Sequence, residues 1–260
     1  MSQINPYQPP RSPVADVAVA AEAGIFVERG RAVAAGHGWT WIAAAFGLFR
    51  KRPGAWIVIT IILGVILILL NLLPVVGWAV NTLLMPVYLG GLMLGCRALA
   101  DDGDFRIGHL FAGFSHRTGR LIAIGALSLV GWIIIMIPLV VIMGESFFAL
   151  MAGDPSALAA VGPAAAIGFL VMLGLSVPLY MALWFSPCLV VFHDAQPIQA
   201  VRQSFRACLK NIVPFLIYGV IAMVFAVAAA IPLGLGLLVW APVIVASVYT
   251  AYRDIFYAPA

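Results

Sequence analysis

The sequence predicts an all-α integral membrane protein. Six transmembrane helices are expected as three parallel hairpins, each preceded by an amphipathic interfacial helix. Three observations carry this expectation. The 260-residue chain is 64% hydrophobic and only 9% charged, where a soluble domain carries roughly 25% charged residues. Its apolar runs are long enough for a hydrocarbon core of about 30 Å, which takes about 20 helical residues. All fourteen Lys and Arg residues fall on one side of a six-span arrangement, and the other side receives only Glu145 and Asp154. The positive-inside rule then places both termini and the two basic loops on the cytoplasmic side. The net charge of +4 reads as a membrane-surface feature. It does not point to nucleic acid, since no soluble basic domain is present to hold a duplex.

Residues 1–36 read as a cytoplasmic tail. The proline-rich leader over 1–14 is expected to be extended or disordered. The Ala- and Val-rich stretch over 15–36 reads as a marginal helix and linker. No apolar segment follows a basic start there, so the first span is expected to act as the insertion signal. The membrane domain over 37–260 divides into units at about 37–99, 100–192 and 193–256.

Trp39, Ile42, Phe46 and Phe49 recur at helical spacing and open the first interfacial helix. Ile198, Val201, Phe205 and Cys208 repeat that spacing in the third unit, with Gln199, Arg202, Gln203 and Arg206 on the polar face. The second unit holds a shorter stripe, Ile107, Phe111 and Phe114, with Asp104 in place of its first apolar residue. Such helices are expected to lie flat among the headgroups. Spans are expected over 55–73, 75–99, 121–143, 164–192, 212–233 and 235–252. The fourth is too long for a perpendicular crossing and is expected to tilt or kink near Pro178 or Pro187. In the loop before it, Asp154 followed by Pro155 reads as an N-cap for a short helix through Val161.

The spacing predicts an internal triplication. Pro74, Pro138 and Pro232 follow the anchors Phe46, Phe111 and Phe205 by 28, 27 and 27 residues, and each is expected at an outer turn. Pro86, Pro187 and Pro242 mark the return spans. Parallel units of this kind are related by an axis along the membrane normal. Each Phe anchor is expected beneath the inner end of its own hairpin.

The candidate sites concern binding. Arg50, Lys51, Arg52, Arg117, Arg120, Arg202, Arg206 and Lys210 lie at the depth of anionic headgroups and are candidate lipid contacts. Gly91 and Gly95 allow a second helix to approach closely. Cys96, Cys188 and Cys208 are odd in number and near the reducing side, so no disulfide is expected. No catalytic, cofactor or metal site is expected, because no metalloprotease, nucleophile-elbow or phosphate-loop motif is present. His109 and His116, near Asp101 and Asp104, read as interfacial loop residues, and His193–Asp194 as a helix boundary. Ionisable groups inside the spans would mark a proton pathway, and none is deep. Asn71 and Asn81 flank the first outer turn and are expected to cap or bond near the outer interface.

The resulting expectation is a non-catalytic integral membrane protein, structural or engaged with membrane lipids and a membrane-protein partner at the cytoplasmic interface. A second reading is a facilitator for a small or amphipathic substrate. A third is a lipid-acting enzyme using His109, His116 or Asp101. A polar, water-filled centre would favour the facilitator, and a closed apolar centre the first reading.

The strings GRAVAAGHGWTWI, MPVYLGGLMLGCRAL, IGHLFAGF, SFRACLKNIVPFLIYG and SVYTAYRDIF resemble those of a family of hypothetical inner-membrane proteins of proteobacteria, chiefly beta-proteobacteria. The resemblance covers most of the chain from about Gly30. It implies an inner-membrane location and six spans, and brings no catalytic residues with it. The plan of interfacial helix and hairpin is also similar, more distantly, to the membrane domain of some glycerophosphodiester phosphodiesterases. The soluble domain that carries that activity is not among these residues.

Overall fold

The apolar runs fold as helices because lipid offers no partner to a bare backbone N–H or C=O, so each segment must satisfy its own. The computed structural model describes residues 24–154 and 162–258. The leader over 1–14 and the short helix expected after Asp154 lie outside the described residues.

In chain order the elements are β1 (Ile25–Phe26), α1 (His37–Lys51), α2 (Pro53–Asn71) and α3 (Pro74–Ala100). Two 3-10 turns follow, Ile107–Leu110 and Ala112–Phe114. Then come α4 (Thr118–Met143), α5 (Glu145–Met151), α6 (Gly162–Leu183) and α7 (Ser186–His193). The chain ends with α8 (Pro197–Lys210), α9 (Ile212–Ala230), α10 (Leu237–Phe256) and β2 (Tyr257–Ala258). Among the described residues five stretches are long and apolar enough to cross a bilayer: α2, α3, α4, Ala166–His193 across α6 and α7, and α9. At 20 residues α10 is about 30 Å long, and it carries Arg253 and Asp254 in its last turn.

Prolines set several helix starts. Pro53, Pro74, Pro187 and Pro197 stand in first turns, where a missing N–H costs nothing. Pro74 opens α3 directly after the turn from α2, and Pro232 lies in the turn over 231–236. Pro138 departs from the expected pattern: it lies inside α4. That helix ends instead at Gly144, whose φ of +56° suits glycine.

The long fourth run breaks between Leu183 and Ser186, just before Pro187. The break has a local cause. The Ser204 hydroxyl of α8 accepts from Phe185 N–H at 3.0 Å and donates to the Met181 carbonyl at 2.7 Å. It stands in the gap where the helical bond between those two groups would form, and an inserted side chain of this kind bends a helix.

The core is built from α3, α7 and α10. Leu92, Met93, Cys188, Leu189, Val243 and Tyr252 are buried there. Helices α2, α4 and α9 stand outside, with Ile61, Val130, Ile134, Leu216 and Val220 exposed. The interfacial elements close the structure in a ring. The two 3-10 turns pack on α2 and α3; α8 packs on α4, α6 and α7; α1 packs on α9 and α10. Each thus lies on the helix pair preceding its own unit, the first unit's on the last. None packs mainly beneath its own pair, as the sequence suggested.

Close approach requires glycine at this junction. A methyl group on Gly91 would strike the His109 carbonyl and lie 2.8 Å from Gly113 N, and one on Gly95 would strike the Phe105 ring. The partner of this small-residue pair is therefore the loop carrying the 3-10 turns, not another membrane helix. The described part of the expected linker, from Gly24, is a strap rather than a helix. Ile25 and Phe26 pair antiparallel with Ala258 and Tyr257, and Lys210 Nζ donates to the carbonyls of Arg29 and Gly30 at 3.0 and 2.9 Å.

Candidate functional site

One end of the bundle gathers the charged side chains. Asp254, in the last turn of α10, is its most connected carboxylate. It accepts from Arg31 Nη2 and Trp41 Nε1, each at 2.7 Å, and lies 2.6 Å from His37 Nδ1. Arg31 Nε also donates to the Asp254 carbonyl at 2.7 Å. The carboxylate is 18% exposed, and these partners replace the water it loses. Asn211, fully buried between α8 and α9, accepts from Val33 N–H and donates to the carbonyls of Arg31 and Ala207, all at 2.9 Å. These bonds tie the strap and the start of α1 to the end of the chain.

Most of the predicted lipid contacts have partners within the protein. Lys51 donates to the Leu99 carbonyl at 2.7 Å and pairs with Asp102 at 2.6 Å. Arg52 and Arg106 pair with Asp104 at 2.6 and 3.0 Å. The Lys51 hydrogen bond and charge hold the Asp102 carboxyl below its ordinary range. The Arg106 hydrogen bond, then the charge of Arg52, do the same for Asp104. Arg117 reaches Asp194 at 2.8 Å, and Arg120 pairs with the same carboxylate. Arg50, Arg202 and Arg206 differ. They are exposed and make no ion pair among the described residues.

The apolar stripes are rotated from the expected faces. In α1 the buried residues are Gly38, Trp41, Ile42, Ala45, Leu48 and Phe49. Trp41 packs against Phe215 and Tyr218 of α9. Trp39 and Phe46 point outward, Phe46 being 44% exposed. In α8 the buried face is Ala200, Gln203, Ser204, Ala207 and Cys208. Small residues there let α8 press against the break between α6 and α7. Gln203, expected on the polar face, is 8% exposed and donates to Glu28 at 2.9 Å. Burial pushes the Cys208 thiol up to about 12. Phe205 is half-buried. Phe111 lies between the two 3-10 turns, 42% exposed, with its ring 6.5 Å from that of Tyr88.

His109 does not join His116 or Asp101. Its Nδ1 accepts from Arg106 N–H at 3.0 Å, and its ring stacks on Phe105. His193 has a role that sequence reading missed. Its Nε2 is 2.6 Å from Tyr252 OH and 3.2 Å from Tyr257 OH, and its ring stacks on Phe26 at 3.7 Å. The aromatic density of YTAYRDIFY was the available signal.

A second region lies among the helices and opens to their outer surface at Tyr180, which is 52% exposed. A cavity of about 430 Å³ is bounded by Asn81 and Pro86 of α3, Ser128 and Trp132 of α4, Tyr180 and Trp184 at the α6 break, and Ile244 and Val248 of α10. No charged side chain lines it. Asn81 Oδ1 and Trp184 Nε1 are buried without a hydrogen-bond partner. Asn71 bonds the Leu67 carbonyl at 2.8 Å, near its turn, but Asn81 does not cap a helix end as expected; it faces this cavity. An apolar groove between α6 and α9, also about 430 Å³, shares Tyr180 and Trp184 with it.

The chain is 30% identical over 219 residues to a probable inner membrane protein of Burkholderia thailandensis, an alignment covering 80% of each chain. No family model matches the chain, and no solved structure matches it. At that identity and coverage, and with helices that meet the length and apolarity of membrane spans, the chain belongs to the family of this Burkholderia inner membrane protein.

Proposed function

We propose that the chain is a six-span inner-membrane protein with its charged face and both termini in the cytoplasm, and that it acts without catalysis by engaging anionic lipid at that face. Six spans follow when α10 is counted with the five long apolar stretches. The orientation follows from the basic residues gathered at one end.

The observation that carries the lipid reading is the contrast among the cations. Lys51, Arg52, Arg117 and Arg120 are matched by carboxylates, so their charge is largely spent inside the protein. Arg50, Arg202 and Arg206 are exposed without one among the described residues. A basic residue at an anionic leaflet gains roughly 1 kcal/mol. Replacing Arg50, Arg202 and Arg206 together with Gln is expected to lower the anionic lipid co-purified in mild detergent several-fold. Replacing Lys51 and Arg52 should change it much less. An unchanged lipid profile in the folded triple variant would refute the reading. A membrane-protein partner at the same face belongs to the proposal, and the same purification reports it. The facilitator reading, which a polar, water-filled centre would favour, gains nothing from the cavity among the helices, whose lining is mainly apolar.

A further inference from the structure

We propose that the groove enclosed by α1, α9 and α10 holds one acyl chain of an anionic phospholipid whose phosphate meets Arg50. This rests on the lipid reading above, and it places a single lipid where that reading gives a charged surface.

The groove exists because three helices meet around small side chains. α9 and α10 approach closely at their turn, where a methyl group on Gly236 would come 2.6 Å from the Ala229 carbonyl. Away from the turn, α1 packs on both helices. Between α1 and the turn, Ala43, Ala228, Ala229 and Gly236 are too small to fill the gap, and about 490 Å³ stays open. Trp39, Phe225 and Trp240 stack in a row beside it, with successive ring centroids 6.3 and 5.3 Å apart. Along α10 the groove runs from Val243 to Gly236, about 10 Å at 1.5 Å per residue. Trp39 is 48% exposed and Phe225 43%, so the groove opens sideways to the bilayer.

The shape selects a hydrocarbon chain. No charged side chain lines the space, and water would lack the polar partners it needs there. A helix about 10 Å across fills roughly 400 Å³ per turn, so the groove takes little more than one turn of a partner helix. Its volume lies instead within the roughly 300–1,000 Å³ of small-ligand sites.

The face of α1 selects the head group. Trp39, Ala43, Phe46 and Arg50 are spaced i, i+4, i+7 and i+11 in one helix, which puts them within about 60° of one another around its axis. The first three line the groove. Arg50 therefore stands one turn beyond Phe46 on the same stripe. It is exposed and makes no ion pair among the described residues, while Lys51 and Arg52 beside it are held by Asp102 and Asp104. A guanidinium matches phosphate oxygens with paired N–H donors. A zwitterionic head group carries its own cation beside the phosphate, so an anionic one gains more from Arg50.

The test uses the full chain in phosphatidylcholine nanodiscs containing phosphatidylglycerol with a diazirine near the end of one acyl chain. Crosslinks are expected within 39–46 of α1, 225–229 of α9 and 236–243 of α10. Unlabelled phosphatidylglycerol should suppress them about fivefold better than phosphatidylcholine. Arg50→Gln should lower groove labelling about fivefold, the factor for one basic residue at an anionic surface. Ala43→Phe changes no charge and sits at an exposed position. Its ring fills the groove, and labelling should fall at least as far. Arg202→Gln combined with Arg206→Gln, on α8, should leave groove labelling unchanged. Labelling of the exposed Val130 and Ile134 serves as the internal standard. Wild-type groove labelling in Arg50→Gln or in Ala43→Phe, or equal competition by phosphatidylcholine, would overturn the proposal. So would groove segments left unlabelled because a second copy or a partner helix covers them. Failure of the broader lipid reading shows elsewhere, as an unchanged co-purified lipid profile in the triple arginine variant.

Discussion

Asp254 carries more of the architecture than any other single charge. Its partners Arg31, His37 and Trp41 come from the strap and α1, more than 210 positions earlier in the chain. It therefore closes the ring of helices where the chain's two ends meet. Asp254→Ala would leave the Trp41 indole N–H and the Arg31 guanidinium without their acceptor. Hydrogen bonds to charged groups contribute about 1.5–3 kcal/mol, and the carboxylate is 18% exposed, so solvent recovers part. A loss of about 2–4 kcal/mol is expected, read as a lower unfolding midpoint in detergent. Asp102→Ala, on a fully exposed carboxylate, should do markedly less; equal shifts would remove Asp254 from this role. Acid acts on Asp102 and Asp104 with a definite sign. Both carboxyls are held below their ordinary range. Their contribution is present above the unfolded value, about 3.9, and is lost as pH falls through the lowered folded value. These two pairs thus outlast mild acid.

The elements of this bundle are decided partly by their neighbours. The fourth apolar run is continuous in sequence from 164 to 192 yet forms two helices, because Ser204 of α8 reaches into it. Ser204→Ala removes the group that serves Phe185 N–H and the Met181 carbonyl. A loss of about 1–3 kcal/mol is expected for orphaning a buried polar group, measured by thermal unfolding in detergent. No loss would mean that the helix closes its own bond and that the serine is a passenger. The same case shows where sequence reading succeeds and stops. Helix ends were legible to within a few residues, because prolines and the edges of apolar runs act locally: α3 was expected over 75–99 and runs Pro74–Ala100. The buried faces of α1 and α8 were not. Periodicity separates apolar from polar, but in a membrane an apolar side chain has two destinations, protein and acyl chain. Trp39 and Phe46 take the outside, and Gly38 and Ala45 the inside. Asn81 was misread for a related reason, since a polar residue some turns into a span serves equally to cap or to line a cavity. The partners of Asp254 were illegible because nothing local links positions 31, 37 and 41 to 254.

For the whole molecule, each interfacial element packs mainly on helices other than the two that follow it in the chain. α1 lies on α9 and α10, the 3-10 turns on α2 and α3, and α8 on α4, α6 and α7. The stretch 107–114 forms 3-10 turns where α1 and α8 are α-helices, and Pro138 lies inside α4. The plan also makes the bundle's ends unlike. Lys51, Arg117, Lys210 and Asp254 share one end through the strap and the return-helix termini, while α5 and the turns at Leu72 and Gly234 lie at the other. If the charged end is cytoplasmic, single cysteines should report it. The native Cys96, Cys188 and Cys208 are all buried, and the background would have them removed. Ala152→Cys, exposed just after α5, should react in intact cells with an impermeant thiol reagent admitted to the periplasm. Gln196→Cys, exposed just before α8, should react only after the inner membrane is opened. Gln203 is unsuited to this use, because Glu28 and the body of α8 cover it. Labelling of Gln196→Cys in sealed cells would reverse the orientation and place Arg50, Arg202 and Arg206 outside, facing the periplasm. Labelling of both positions would break the six-span count itself, because 152 and 196 are separated by one crossing, the stretch over α6 and α7. The two positions therefore test the orientation and the crossing in one measurement.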